Sequence, residues 1–389
     1  MYKSGIYIHV PFCHSKCIYC DFFSTRSDKA DWDALVLALI NELDCRIEEI
    51  GFNPDTLYIG GGTPSVMPQD SFLNLVCGVR ELVKKEGDWS EFTIEVNPED
   101  VDACKARIWK DAGVNRVSMG IQSLDDGELK AIRRNHDSSK AIESYHILRS
   151  MFRNVSVDLM FGLPGQTMES WISTVRRTLS LRPEHISAYS LMFEEKTPIS
   201  ILREAGKLSF PDEEECLSMW KILTNVLSEN GYLPYEISNY AMPGYESIHN
   251  KRYWLGNPYL GIGPSAHSYD GKSVRRWNPA NIKDYISFFN SSSDGISARG
   301  DVANTHFYEE ECLDSVQLAE ERIMLRLRMR EGLDLSEFVS DFGEVALKIL
   351  ENNADSMIKE GKLVVDGGRL CLTPEGVMIS DNVTVQLIT

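Results

Sequence analysis

The chain has 389 residues, 43% of them hydrophobic and 25% charged, which is enough to bury a core of barrel size and a smaller second domain. A formal net charge of −18 disfavours a nucleic acid partner, because phosphate binding is driven by clustered Lys and Arg. No apolar run reaches membrane-spanning length and Met1-Tyr2-Lys3-Ser4 leads straight into the first expected strand, so the expectation is a cytoplasmic protein with no membrane segment of its own.

That strand comes first. Ile6, Ile8 and Val10 alternate with Tyr7 and His9, and Pro11 stops the alternation. Cys13, Cys17 and Cys20 then follow in the spacing CxxxCxxC. Three thiolates on one short loop cannot complete a structural zinc site, which takes four protein ligands. They can hold three irons of a [4Fe–4S] cluster and leave the fourth iron open. An open iron is what radical chemistry on S-adenosylmethionine requires: the amino acid end chelates it, and one electron cleaves the C–S bond. The other six cysteines, Cys45, Cys77, Cys104, Cys216, Cys312 and Cys371, are scattered singly and read as reduced thiols.

Beyond the cysteines, the apolar face of 31–50 predicts a helix ended by Gly51. Strands are expected at 56–59, 92–96, 116–120, 155–160 and 186–191, with helices at 70–85, 101–111, 125–133, 138–151 and 168–180 between them. Six β-to-α units in a row predict an α/β fold, a parallel sheet curled into a partial (β/α)6 barrel of the TIM type, with chemistry at the C-terminal strand ends. Residues 1–230 are assigned to this barrel, which includes a helix near 212–230. Residues 231–310 are assigned to a less regular, glycine- and aromatic-rich extension that ends in a polar linker around 291–305. In 311–389, helices at 316–330, 335–341 and 344–360, a hairpin turning at Asp366-Gly367-Gly368, and a last helix opened by Thr373-Pro374 predict a small winged-helix-like α+β domain. Its many acids argue against DNA binding.

Several expected strand ends carry polar or glycine-rich motifs. Gly60-Gly61-Gly62-Thr63-Pro64 follows the second strand, where a backbone without Cβ atoms can press on a ligand and offer N–H groups to a carboxylate. Glu95 and Asn97, Gln122 and Ser123, Arg134, and Asp158 fall on the same expected rim.

The CxxxCxYC loop, GGGTP, EVNP, GIQS and DLMFGLPGQT together resemble the radical S-adenosylmethionine proteins of the oxygen-independent coproporphyrinogen III oxidase group, over essentially the whole chain. The resemblance implies that Cys13, Cys17 and Cys20 bind the cluster. It implies that Tyr7, Gly61, Gly62, Thr63, Glu95, Gln122, Arg134 and Asp158 line the S-adenosylmethionine site, with Glu95 on the ribose hydroxyls, and that Tyr19 lies near the cofactor. Two departures point to the sister family of HemW-type haem chaperones: Phe22 stands where the oxidases have a further cysteine, and the oxidases' N-terminal extension is expected to be absent. Ile248-His249-Asn250-Lys251-Arg252-Tyr253-Trp254 matches the HNxxYW signature of that family, which implies haem contact by His249. Tyr253 and Trp254 then pack on the macrocycle, Lys251 or Arg252 meets a propionate, His267 is the alternative ligand, and Arg275 and Arg276 are further propionate candidates. The implied function is haem binding and delivery to haem-requiring, respiratory recipients, some of them membrane-bound. The rival is the oxidase itself, removing carboxyl groups from a porphyrinogen, and no catalytic residue is assigned.

Overall fold

In the computed structural model, which describes residues 3–48, 54–84, 87–195, 197–291 and 307–388, six parallel strands and their crossover helices form the frame. They run β1 (Ser4–Val10), α1 (Trp32–Arg46), β2 (Pro54–Gly61), α2 (Gln69–Val83), β3 (Glu91–Val96), α3 (Ala103–Asp111), β4 (Arg116–Gln122), α4 (Asp126–Ala131), α5 (Ser138–Met151), β5 (Val155–Phe161), α6 (Met168–Leu181) and β6 (His185–Ser190). The strands are buried on both faces, every residue of β4 included, as parallel strands covered by helices must be. Short polar caps fix where all of these helices but α2 begin. Asp31 accepts from the Ala34 N–H at 3.1 Å, Asp102 from that of Lys105 at 2.8 Å and Asp137 from that of Lys140 at 2.8 Å, while Thr167 and Ser170 form a capping box on α6. The six strands thus end on one rim, as the alternation of elements predicts.

After α7 (Pro198–Glu204) and α8 (Glu213–Glu229), the expected irregular extension turns out to enlarge the sheet. It supplies β7 (Leu233–Pro234), β8 (Asn239–Ala241), α9 (Ile248–Trp254), β9 (Tyr259–Ile262), β10 (His267–Tyr269), β11 (Val274–Trp277), α10 (Ile282–Ser291) and β12 (Glu309–Cys312), giving the strand order β12-β11-β10-β9-β1-β2-β3-β4-β5-β6-β8-β7. β9 runs parallel to β1, Gly5 opposite Tyr259 and Ile8 opposite Ile262. These strands have two to four residues each, too few for alternation to show in the sequence. α10 is locked onto α1 by the Tyr285 hydroxyl, which donates to Glu42 at 2.6 Å, and Glu42 also pairs with Arg46 at 2.6 Å. Most of the expected linker lies outside the described residues.

The C-terminal unit has its own core, in which Ile323, Leu327, Phe338, Leu350, Leu370 and Val383 are buried together. It comprises α11 (Ser315–Leu327), β13 (Leu333–Asp334), α12 (Leu335–Lys359), β14 (Leu363–Asp366), β15 (Arg369–Leu372), α13 (Pro374–Val377) and α14 (Ser380–Ile388), with strand order β13-β15-β14. Gly343, at φ 86°, breaks α12 into the two arms expected from sequence. Arg275 of β11 holds Glu321 through two bonds of 2.5 and 2.6 Å, and Arg328 reaches Glu236 at 3.4 Å while lying over the Trp254 ring at 4.6 Å. The unit is therefore docked on the sheet, and no helix among the described residues is long and apolar enough to cross a membrane.

Candidate cofactor site and the cavity beside it

Two residues of the cysteine loop, Phe12 and Cys13, pair in parallel with Thr25 and Arg26, so the loop leaves β1 and returns to the same place. A turn closes between Cys17 and Cys20, whose N–H donates to the Cys17 carbonyl at 3.2 Å. No disulfide joins the cysteines among the described residues. Cys13, Cys17 and Cys20 share the wall of one cavity of about 790 Å³ that runs from the C-terminal strand ends into the barrel as far as Arg116. Among the described residues no three His, Cys, Asp or Glu side chains close around a single metal ion. Three sulfurs spread along one wall without converging fit a cluster of several irons better than a mononuclear site. Burial pushes the Cys13 thiol up and the Cys20 thiol up to about 11, so loading a metal means driving protons off these sulfurs. The cation placed to help is Arg134, whose Nη1 is 3.5 Å from Cys17 Sγ.

Arg134 is itself held by two acceptors, Asn97 Oδ1 at 2.7 Å and the Gly120 carbonyl at 2.6 Å. Its Nε is buried with no protein partner, a donor that a bound polar ligand can satisfy. Glu95, on the same cavity, accepts from the Tyr58 hydroxyl at 2.7 Å and the Gly61 N–H at 3.1 Å. Burial raises its carboxyl from the ordinary 4.5 to about 7 despite those donors. Asp158 is raised as well, by burial, and accepts from Ser118 Oγ at 3.2 Å. Gln122 sits at a register shift in β4 with φ 69°, its side-chain oxygen accepting from Tyr189 at 3.1 Å. Tyr19, Gly61, Gly62 and Thr63 complete the wall.

The glycine turn does something other than expected. Its N–H groups are not free for a ligand carboxylate: Gly61 donates to Glu95, Gly62 to the Val10 carbonyl at 2.8 Å and Thr63 to the Phe12 carbonyl at 2.7 Å. A Cβ at Gly62 would lie 2.7 Å from Phe12 O, and one at Gly61, where φ is 109°, would lie 2.5 Å from His9 Nδ1. The glycines therefore let β2 clasp the cysteine loop backbone to backbone. Tyr58, Ser118 and Tyr189 were not singled out from sequence, although their inward position in the strand alternation was available as a signal.

Tyr7 does not reach this cavity. It lines a smaller one of about 370 Å³ beside it, along the β1–β9 seam, with His9, Phe23, Tyr253, Tyr259 and His267. Phe22, Gly61 and Glu95 border both cavities. His9 is fixed as a neutral ring, Nε2 donating to the Phe23 carbonyl at 3.0 Å and Nδ1 taking the Tyr7 hydroxyl at 3.0 Å.

His249 lines neither cavity. It lies on α9, which plugs the sheet from the N-terminal ends of β1 to β3. Glu91 of β3 takes the N–H groups of Ile248 at 2.7 Å and His249 at 3.2 Å, and Arg252 donates to the Lys3 carbonyl at 2.6 Å and pairs with Asp55. The His249 ring is 1% exposed, with Nδ1 bonded to Thr56 Oγ1 at 2.9 Å and Nε2 to the Tyr253 hydroxyl at 2.8 Å. As folded, it offers no nitrogen to a ligand. Three of the four expected propionate partners are engaged too: Arg275 with Glu321, Arg276 with Glu310 at 2.7 Å, and Arg252 with Asp55.

Comparison with known proteins decides the family. Residues 7–178 match the radical SAM superfamily and residues 313–379 the HemN C-terminal domain. The chain is 35% identical to the haem chaperone HemW of Bacillus subtilis over 97% of each chain, and 31% identical to HemW of Escherichia coli over 92% of this chain and 91% of that one. The chain belongs to the HemW/HemN-like radical SAM family. Mitochondrial radical S-adenosyl methionine domain-containing protein 1 of Danio rerio is 30% identical over 98% of this chain and 86% of its own length. The fold is that of coproporphyrinogen III oxidase HemN of Escherichia coli, with a TM-score of 0.82 at 20% identity, covering 100% of this chain and 90% of that one. Membership implies a [4Fe–4S] cluster and S-adenosylmethionine, and the cysteine wall, the orphaned Arg134 Nε and the polar strand ends fit both.

Proposed function

We propose that the protein is a haem chaperone of the cytoplasm, which holds a [4Fe–4S] cluster and S-adenosylmethionine in the larger cavity, binds haem, and passes it to haem-requiring respiratory proteins, membrane-bound ones among them. The observation that carries this reading is the near-full-length likeness to HemW chaperones, through both the barrel and the C-terminal unit. The absence of disulfides among the described residues suits a reducing compartment.

Cys13, Cys17 and Cys20 hold the cluster in this reading, and Tyr19, Gly61, Gly62, Thr63, Gln122, Arg134 and Asp158 surround S-adenosylmethionine. Glu95 accepts its ribose hydroxyls. Bound together, cluster and cofactor supply one-electron chemistry at the sulfonium. The chain's own contribution is to fix their surroundings. Arg134 sets positive charge against Cys17, and the glycine clasp holds the loop to β2. Val377, Met378 and Asp381 of the C-terminal unit line the same cavity.

The test is transfer. Haemin-loaded protein, prepared without oxygen, is mixed with a haem-free apoprotein and the recipient's spectrum followed, while a parallel sample receives coproporphyrinogen. The chaperone reading predicts haem transfer and no protoporphyrinogen, whereas turnover without haem binding would hand the case to the oxidase.

A further inference from the structure

Seven histidines lie among the described residues. His9, His136, His185 and His249 have both ring nitrogens bonded, and His14 is tied to Asp100 at 2.7 Å. Only His146 and His267 have no ring nitrogen in a hydrogen bond. His146 is exposed on the barrel helix α5, remote from the strand ends. His267 is also exposed, but it lines the smaller cavity and stacks on Trp277 at 6.0 Å and 23°.

The walls around it are mostly aromatic, Tyr7, Tyr253, Tyr259, Phe22 and Phe23, with His9, Ser265 and Glu95 as the polar remainder. Phe22, at the border of the two cavities, is 64% exposed, an unusual display for a phenylalanine and a free face for a planar partner. A bare divalent ion needs three or four protein ligands, and among the described residues no group of three His, Cys, Asp or Glu surrounds this imidazole. One imidazole does suffice for a metal that arrives with its equatorial positions already filled by a macrocycle.

We infer that His267, not His249, is the axial ligand that receives haem iron, with the macrocycle held in the side cavity among Phe22, Tyr253 and Tyr259. The inference rests on the haem-chaperone reading and specifies its site. His249 is then a positioning residue: through its bond to the Tyr253 hydroxyl it sets one aromatic wall of the cavity. Shared borders at Phe22, Gly61 and Glu95 put this haem directly beside the cofactor cavity.

The test is a haemin titration of the full-length, cluster-loaded protein, read as the difference spectrum in the Soret region, for wild type, His267→Ala, His267→Gln and His146→Ala. Both His267 variants should bind at least tenfold more weakly with a displaced band, His146→Ala should match wild type, and added imidazole should restore the wild-type band in His267→Ala. An unperturbed cluster spectrum in the His267 variants shows that they have folded. Wild-type affinity and band position in both, or a thiolate-ligated spectrum in wild type, would overturn the assignment while leaving the chaperone reading standing. Wild type that binds no haemin would overturn both.

Discussion

The two cavities share a border and differ in how their walls are held. Around the larger one, polar side chains from separate strands restrain one another: Arg134 joins Asn97, Gly120 and Cys17, and Glu95 joins Tyr58 and Gly61. Around the smaller one the walls are mostly aromatic, and the imidazole at the mouth, His267, makes no ring hydrogen bond among the described residues. The first arrangement suits a resident cofactor that must be gripped in one pose. The second suits cargo, which has to leave: apolar faces and one exchangeable ligand bind a flat molecule without enclosing it.

The sharpest way to break this contrast is to remove the cluster and ask whether the side cavity notices. Cys17→Ala should abolish the broad visible absorbance of the anaerobically reconstituted protein yet leave haemin binding within a few-fold of wild type. Parallel loss of both would merge the two cavities into one functional unit. Gly62→Ala probes the clasp between β2 and the cysteine loop. With a Cβ 2.7 Å from Phe12 O, it should lower unfolding stability by about 2–3 kcal/mol and the cluster content with it, as followed by denaturant titration and iron analysis.

His249→Ala separates a wall support from a ligand. Leaving Thr56 and Tyr253 without their partner should cost about 1–3 kcal/mol in stability, while the Soret band of bound haemin keeps the position given by His267. The last effect is a slope with pH. Burial raises the Glu95 carboxyl from 4.5 to about 7, so the folded chain keeps this proton over an interval in which the unfolded chain releases it. Stability of the cofactor-free protein should therefore fall as pH rises from about 4.5 to about 7, and Glu95→Gln should flatten that fall. Equal slopes in the two proteins would mean that Glu95 keeps its ordinary proton affinity.

The same contrast explains what was legible in the sequence. The barrel is built from strands of six to eight residues with capped helices between them, and alternation and capping residues announce such elements. The cysteine spacing and the polar residues at strand ends likewise point to a single rim. The edge that carries the smaller cavity is made of strands of three and four residues around tight turns, a length at which periodicity carries no information. The HNxxYW motif was visible as a motif, but whether His249 faces a cavity or Thr56 depends on where α9 docks, and that is decided by Glu91 and Asp55 some 160 to 200 residues away in the chain. The role of the glycine turn was hidden for a related reason: its N–H partners, Val10 and Phe12, belong to the end of another strand and the loop after it.

Electron paramagnetic resonance of the reduced, anaerobically reconstituted chain, recorded without and with S-adenosylmethionine, goes most directly to the claim that three sulfurs leave one iron open. The account predicts iron and sulfide in the ratio of a [4Fe–4S] cluster and a spectrum whose g-values shift when S-adenosylmethionine is added. A cluster signal indifferent to S-adenosylmethionine, or a preparation that retains no iron, would contradict it.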